Sequence, residues 1–244
     1  MTATAKTLPI VFIPGASSDD TVWDAQKNHF AQATTAITVN LTSYDSIADM
    51  SAHVLAAVDG DFIICGTSMG GYVALDVLKK AHGRVKKVIF CNTAARADTP
   101  EKTAQRMAEV AAGAEAYAAN RIDDTHYKTF LSDKSFEDKA LVKKLRAVSE
   151  RVGYACFKNH QIACSTRLDS IDFLSQIDIP ALIIGGTEDT VTPPERQAEM
   201  KEKIPNAQLI MIPEVGHIAH MEAADTVTAA IEAFILDDTQ GEQP

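Results

Sequence analysis

The chain has 244 residues, 46% of them apolar and 23% charged, which suits one globular domain with a sizeable core. Its formal net charge of −10 argues against nucleic acid and against anionic membrane surfaces as partners. No apolar run approaches the ~20 residues needed to span a bilayer.

The opening segment, Met1 to Leu8, is short and polar. The apolar Ile10-Val11-Phe12-Ile13 that follows is halted by Pro14-Gly15, too short a run for a signal peptide, so a cytoplasmic protein is expected. Pro9 to Ile13 reads as the first strand, Ala36 to Leu41 as the second and Phe62 to Gly66 as the third. A helix is expected from Tyr72 to about Ala81, with Lys79 and Lys80 in its last turn and Gly83 as its stop. Val85 to Cys91, Ala181 to Gly185 and Gln208 to Ile212 complete the strands. The last helix carries Val227, Ile231, Phe234 and Ile235 on one apolar face, and its polar tail, Asp237 to Pro244, is expected to fray. Strands alternating with helices predict an α/β fold with a mostly parallel sheet of about six strands.

That alternation breaks between about Ala94 and Ser165. Thr99-Pro100 reads as an N-cap with proline at the first helical position. Met107, Val110, Ala111, Ala114 and Ala118 repeat at helical spacing, as do Leu141, Leu145, Val148 and Val152. Gly153 separates that second set from Tyr154, Phe157 and Gln161. The expected organisation is a core of residues 1–93 and 166–244, with a helical lid, residues 94–165, inserted over the sheet edge where open α/β sheets bind ligands.

Gly66-Thr67-Ser68-Met69-Gly70-Gly71 contains Gly-x-Ser-x-Gly between a strand-like and a helix-like segment, the context of a nucleophile elbow. A serine hydroxyl needs a base, and the base needs an orienting acid. Asp189 follows the fifth strand, ahead of Pro193-Pro194, and His217 follows the sixth, so both stand at the same sheet edge as Ser68. Glu188 competes with Asp189. His220, expected in the first turn of the last helix, competes with His217. The other histidines, His160 among them, have no strand-end context and are expected on the surface or in packing. An oxyanion needs two donors, and the backbone N–H groups of Met69 and Ala16 are the candidates. Ser17, Trp23, Phe130 and Phe157 are candidate pocket residues. Of the four cysteines, Cys65 and Cys91 lie in strand-like runs. No pair among Cys65, Cys91, Cys156 and Cys164 has metal-site or redox spacing, so neither a metal nor a redox role is expected.

With the elbow, Asp189 before Pro193-Pro194 and Gly216-His217 in that order, the chain resembles the α/β-hydrolase fold superfamily over nearly its full length. Trp23-Asp24-Ala25-Gln26 is similar to the corresponding segment of 3-oxoadipate enol-lactonases and small bacterial esterases. The resemblance implies a cofactor-free Ser–His–Asp hydrolase with a helical lid. Pro14-Gly15 departs from the His-Gly of many members. The short start leaves no room for the antiparallel N-terminal hairpin of larger members, a trait shared with compact carboxylesterases resembling methyl-ester esterases. The expected function is hydrolysis of small to medium carboxylic esters, by a monomer or homodimer acting on a small-molecule ester or lactone. An enol-lactonase is the alternative within enzymes, and a non-catalytic small-molecule receptor the alternative outside them.

Overall fold

The structure, a computed structural model, describes residues 8–237, so the expected fraying of the tail falls almost wholly outside the described residues. Six strands carry the sheet: β1 (Ile10–Ile13), β2 (Ala36–Thr38), β3 (Phe62–Thr67), β4 (Val85–Cys91), β5 (Ala181–Gly186) and β6 (Ala207–Ile212). Between β1 and β4 lie α1 (Asp24–Phe30), α2 (Ile47–Ala56) and α3 (Met69–Ala81). Four helices separate β4 from β5: α4 (Pro100–Ala111), α5 (Gly113–Ile122), α6 (Asp133–Phe136) and α7 (Lys139–Thr166). The chain closes with α8 (Pro194–Lys203), α9 (Ala219–Glu222) and α10 (Ala224–Leu236). Among the described residues, no helix is long and apolar enough to cross a membrane.

All pairings are parallel, in the order β2-β1-β3-β4-β5-β6. Such a sheet is covered on both faces, which is why its strands read as continuous apolar runs. Alternate side chains part accordingly. Val11, Ile13, Phe62, Ile64, Val88, Phe90 and Ile183 pack with residues of α2, α3 and α8, while Ile10, Phe12, Ile63, Cys65, Ile89, Leu182 and Ile184 pack with Trp23 and residues of α1 and α10. The chain leaves β1 for β2 on one side and then crosses to β3 on the other. This reversal opens a crevice beyond the carboxyl ends of β1 and β3, and Pro14-Gly15 and Ser68 follow those two strands directly.

Local expectations hold in part. Thr99 caps α4 through its hydroxyl, with Pro100 at the first helical position. Strand β2 ends at Thr38, short of Leu41, because the Leu41 carbonyl accepts from His160 Nε2 and from the Tyr44 N–H instead of continuing the ladder. Helix α3 starts at Met69, three residues before Tyr72, and it runs into a 3₁₀ turn at His82–Arg84 without a left-handed glycine at Gly83. The helical set from Met107 to Ala118 is broken at Gly113, whose φ of +84° divides α4 from α5. Ala111, Ala114 and Ala118 are exposed, and Tyr117 is the buried residue. His220 belongs to the separate short helix α9, not to α10. Gly153, at φ +67°, kinks α7 so that Val148 reaches one face of the sheet and Ala163 and Cys164 the other.

Candidate active site

Ser68 stands between β3 and α3 with φ +51° and ψ −117°, a conformation that costs about 1–3 kcal/mol and persists only where the surroundings impose it. They do so through both backbone groups: the Ser68 N–H donates to the Cys91 carbonyl at 3.0 Å, and the Thr93 hydroxyl donates to the Ser68 carbonyl at 2.7 Å. The flanking glycines are steric necessities. A Cβ on Gly66 would lie 2.2 Å from the Gly70 carbonyl oxygen, and one on Gly70 would lie 2.3 Å from that of Ile13. Strand, turn and helix can approach so closely only without side chains there, which lifts the Ser68 hydroxyl out of the sheet edge.

The structure brings Ser68, His217 and Asp189 together from three separate strand ends. His217 Nε2 lies 3.0 Å from Ser68 Oγ, and His217 Nδ1 lies 2.9 Å from Asp189 Oδ2. Asp189 and His217 are 2% and 4% exposed, while Ser68 is half-buried. Asp189 accepts from the Asn92 side-chain amide at 3.0 Å, from the Val191 and Thr192 N–H groups at 2.9 Å each, and from the Thr192 hydroxyl at 2.7 Å. Burial pushes the Asp189 carboxyl up, but facing His217 and these donors outweigh it, and the group titrates below its ordinary value. An ionised Asp189 fixes the proton of His217 on Nδ1 and leaves a lone pair on Nε2 toward the Ser68 hydroxyl.

The competing residues are placed elsewhere. Glu188 is exposed. His220 is buried, its ring centroid 4.4 Å from that of Trp23, and its pKa is pushed down to about 3 by burial and then by His217 and Lys144.

The loop after β1 abuts the serine, for a Cβ on Gly15 would meet Ser68 Cβ at 3.4 Å. Ala16 follows in this loop, and Met69 opens α3, so both candidate N–H donors flank Ser68. The Ser18 hydroxyl donates to the Gly15 carbonyl at 2.9 Å. Ser17, at φ +56°, donates its N–H to His160 Nδ1 at 2.8 Å, and His160 Nε2 lies 3.0 Å from the Leu41 carbonyl. His160 therefore accepts at Nδ1 and donates from Nε2 as a neutral ring, which suits a pKa lowered by burial. It buttresses the loop, a role with no signature in the sequence.

The candidate pocket residues divide. Ser17 is half-buried in the loop, and Phe130 is half-buried with its ring 6.3 Å from that of His217. The Phe130 carbonyl accepts the His217 N–H at 2.8 Å. Phe157 is buried against Tyr117, ring centroids 5.1 Å apart. Trp23 is fully buried between Phe12 and His220 with its indole N–H on the Ile13 carbonyl at 3.0 Å, so it belongs to the core beneath the site and not to a pocket wall.

Two further side chains organise the His217 and Asp189 loops. Asn92, buried at the end of β4, donates to Asp189 and to the Gly216 carbonyl and accepts from the Ala219 N–H at 3.2 Å. Its position at a strand end is the signal that could have singled it out. The Glu222 carboxylate accepts from the Gly216, Ile218 and Ser132 N–H groups at 3.0, 3.2 and 3.0 Å. It therefore clamps both neighbours of His217 to the segment before α6. No sequence pattern marks it. Among the described residues, no group of three histidine, cysteine or acidic side chains could hold a metal ion, and all four cysteines are buried and unpaired.

Comparison with known proteins places the fold. A pimeloyl-[acyl-carrier protein] methyl ester esterase from Nitrosospira multiformis is 29% identical over 193 residues, covering 76% of this chain and 73% of that one. A thermophilic esterase from Thermogutta terrifontis, solved with malate bound, superposes with a TM-score of 0.83 at 25% identity, over 93% of this chain and 89% of that one. The enol-lactonase from Burkholderia xenovorans shares the fold, with a TM-score of 0.85 at 20% identity over 96% and 94%. The model of the alpha/beta hydrolase family matches residues 10–230, from the first strand into the last helix. The chain belongs to the alpha/beta hydrolase family.

Proposed function

We propose that the protein is a serine esterase that hydrolyses small to medium carboxylic esters through an acyl-enzyme. The observation that carries this reading is the relay from Ser68 Oγ to His217 Nε2 and from His217 Nδ1 to Asp189, at 3.0 and 2.9 Å. Ser68 attacks the ester carbonyl as His217 takes its proton. The Ala16 and Met69 N–H groups receive the charge on the carbonyl oxygen, each worth about 10²–10³ in turnover. His217 then protonates the departing alcohol, and a water attacks the acyl-enzyme by the same route in reverse. Helices α4 to α7 act as the lid over the acyl group, with Phe130 beside His217. The four unpaired thiols suit a reducing compartment.

The test is a panel of p-nitrophenyl esters, lactones and thioesters, assayed with wild type and Ser68→Ala. Short esters should be turned over by the wild type and not by the folded variant, and a fluorophosphonate should label Ser68. Undiminished turnover by Ser68→Ala would overturn the assignment. A wild type that binds esters without reacting with fluorophosphonate would make the protein a receptor. Faster turnover of lactones than of any open ester would make it a lactonase.

A further inference from the structure

The helices between β4 and β5 carry a cation that Glu109 reaches only at a distance, with no ion pair among the described residues. Six of the eight arginines, Arg96, Arg106, Arg146, Arg151, Arg167 and Arg196, form ion pairs with carboxylates. Arg84 gives its guanidinium to three backbone carbonyls. Arg121 is different. Its guanidinium lies over the Tyr117 ring, 3.7 Å from the centroid, and 5.0 Å from that of Phe157. One Nη group reaches the Tyr117 carbonyl at 3.3 Å. Its Nε is buried without an acceptor, and it makes no ion pair among the described residues. Tyr127 is 2% exposed, and its hydroxyl is likewise buried without a partner among the described residues. Tyr127 lies within electrostatic reach of both Arg121 and Tyr117. Two orphaned donors of this kind are costly to bury. What they lack is an acceptor.

Contacts run from this pair to both sides of Ser68. On one side Phe157 adjoins Cys156, whose Sγ is 3.6 Å from His160 Nδ1, the atom that holds the Ser17 N–H. On the other, the His126 ring lies 5.2 Å from Tyr127 and 5.5 Å from Phe130, which faces His217. Arg121 and Tyr127 therefore sit on the segment that spans the site from the oxyanion loop to the base. His126 adds no second cation at neutral pH, for burial and then the Arg121 charge push its pKa down to about 4.

We propose that Arg121 and Tyr127 hold a carboxylate carried by the substrate, so that the preferred substrates are half-esters of dicarboxylic acids. The free carboxylate accepts from the Arg121 guanidinium and the Tyr127 hydroxyl while the esterified end meets Ser68. Hydrolysis breaks the bond between acyl carbon and alkoxy oxygen. Water supplies the hydroxyl to the acyl carbon and the proton to the alcohol, and a dicarboxylate leaves. This rests on the esterase reading of Ser68.

The test compares kcat/KM for monomethyl and dimethyl glutarate, with the monomethyl esters of succinic and adipic acid to vary the span. Wild type, Arg121→Met and Tyr127→Phe are assayed alongside calorimetric titration of glutarate into Ser68→Ala with and without Arg121→Met. The wild type should favour a half-ester over its diester. Arg121→Met should lower that ratio by about tenfold to a hundredfold, as for loss of a charged hydrogen bond, and Tyr127→Phe by roughly threefold to tenfold. A structural role would lower both substrates in parallel and leave the ratio unchanged, and that result overturns the proposal, as does a wild type indifferent to the free carboxylate. Glutarate binding that depends on Arg121 in a protein hydrolysing no ester would overturn the esterase reading and leave the carboxylate site standing. Ester turnover without charge preference, and without glutarate binding, would do the reverse.

Discussion

Replacing Glu222 with glutamine tests whether the His217 loop is held in place from the helices above it. The carboxylate accepts three backbone N–H groups, and the Gly216 N–H is shared between its oxygens at 3.1 and 3.0 Å. Glutamine keeps one oxygen, which serves Ile218 and one arm of Gly216. It sets an NH₂ group against the Ser132 N–H, donor facing donor. One charge-assisted bond is lost outright and another weakened. At about 1.5–3 kcal/mol for a bond to a charged group, the cost is about 2 kcal/mol. In thermal unfolding that lowers Tm by roughly 4–8 °C for a chain of this size. If the same bonds orient His217, kcat on a short p-nitrophenyl ester falls roughly thirtyfold, since 1.4 kcal/mol is a factor of ten, and KM changes little. A Tm lowered by that amount with kcat unchanged would refute the reasoning, for Glu222 would then tie helices together without steering the base. Unchanged Tm and kcat would mean that water replaces the bonds freely.

Three further outcomes follow from the site. Gly70→Ala should yield little soluble protein, because the new Cβ meets the backbone oxygens of Ile13 and Pro14 at 2.3 and 2.8 Å; a soluble, active variant by expression and ester assay would contradict the packing. Asn92→Ala leaves the Ala219 N–H and the Gly216 carbonyl unpaired in the core and puts alanine at φ +44°, so a loss of about 3 kcal/mol is expected, read as a Tm drop of roughly 6–12 °C. For acid, the folded-state pKa of Asp189 lies below its unfolded value, so its stabilisation is complete above about pH 4 and is lost as pH falls through the folded value. The Tm gap between wild type and Asp189→Asn should therefore be constant near neutrality and narrow below about pH 4; a gap that widens in acid would reverse the sign of the shift.

Legibility in the sequence followed the kind of signal each feature leaves. The strands are readable because a sheet covered on both faces demands unbroken apolar runs, and β4, Val85–Cys91, has the bounds its sequence predicts. Strand β2, with only half-buried residues at the sheet edge, is shorter than its sequence predicts, since the Leu41 carbonyl turns to His160 on a helix far along the chain. The repeat from Met107 to Ala118 fits one helix as well as two, and only the left-handed Gly113 decides. Trp23, a candidate pocket residue from the sequence, instead closes its indole N–H on the Ile13 carbonyl in the core.

The residues that escaped the sequence share one physical trait: they act on backbone groups. His160 holds the Ser17 N–H, Glu222 holds those of Gly216, Ile218 and Ser132, and Asn92 joins Asp189 to the Gly216 carbonyl and the Ala219 N–H. A motif records side chains that must have one chemistry at one spacing, but a backbone amide is present at nearly every position and marks none of them. Ser68, Asp189 and His217 were legible because each follows a strand whose position is fixed by the sheet. Their supports come from α7, α9 and the end of β4, joined across 143, 90 and 124 residues of chain by the Ser17–His160, Ser132–Glu222 and Asn92–Gly216 bonds. The helices between β4 and β5 are thus bonded to the loop after β1 at one end and to the His217 loop at the other. A change in how they pack reaches both the expected oxyanion donor and His217 without touching Ser68.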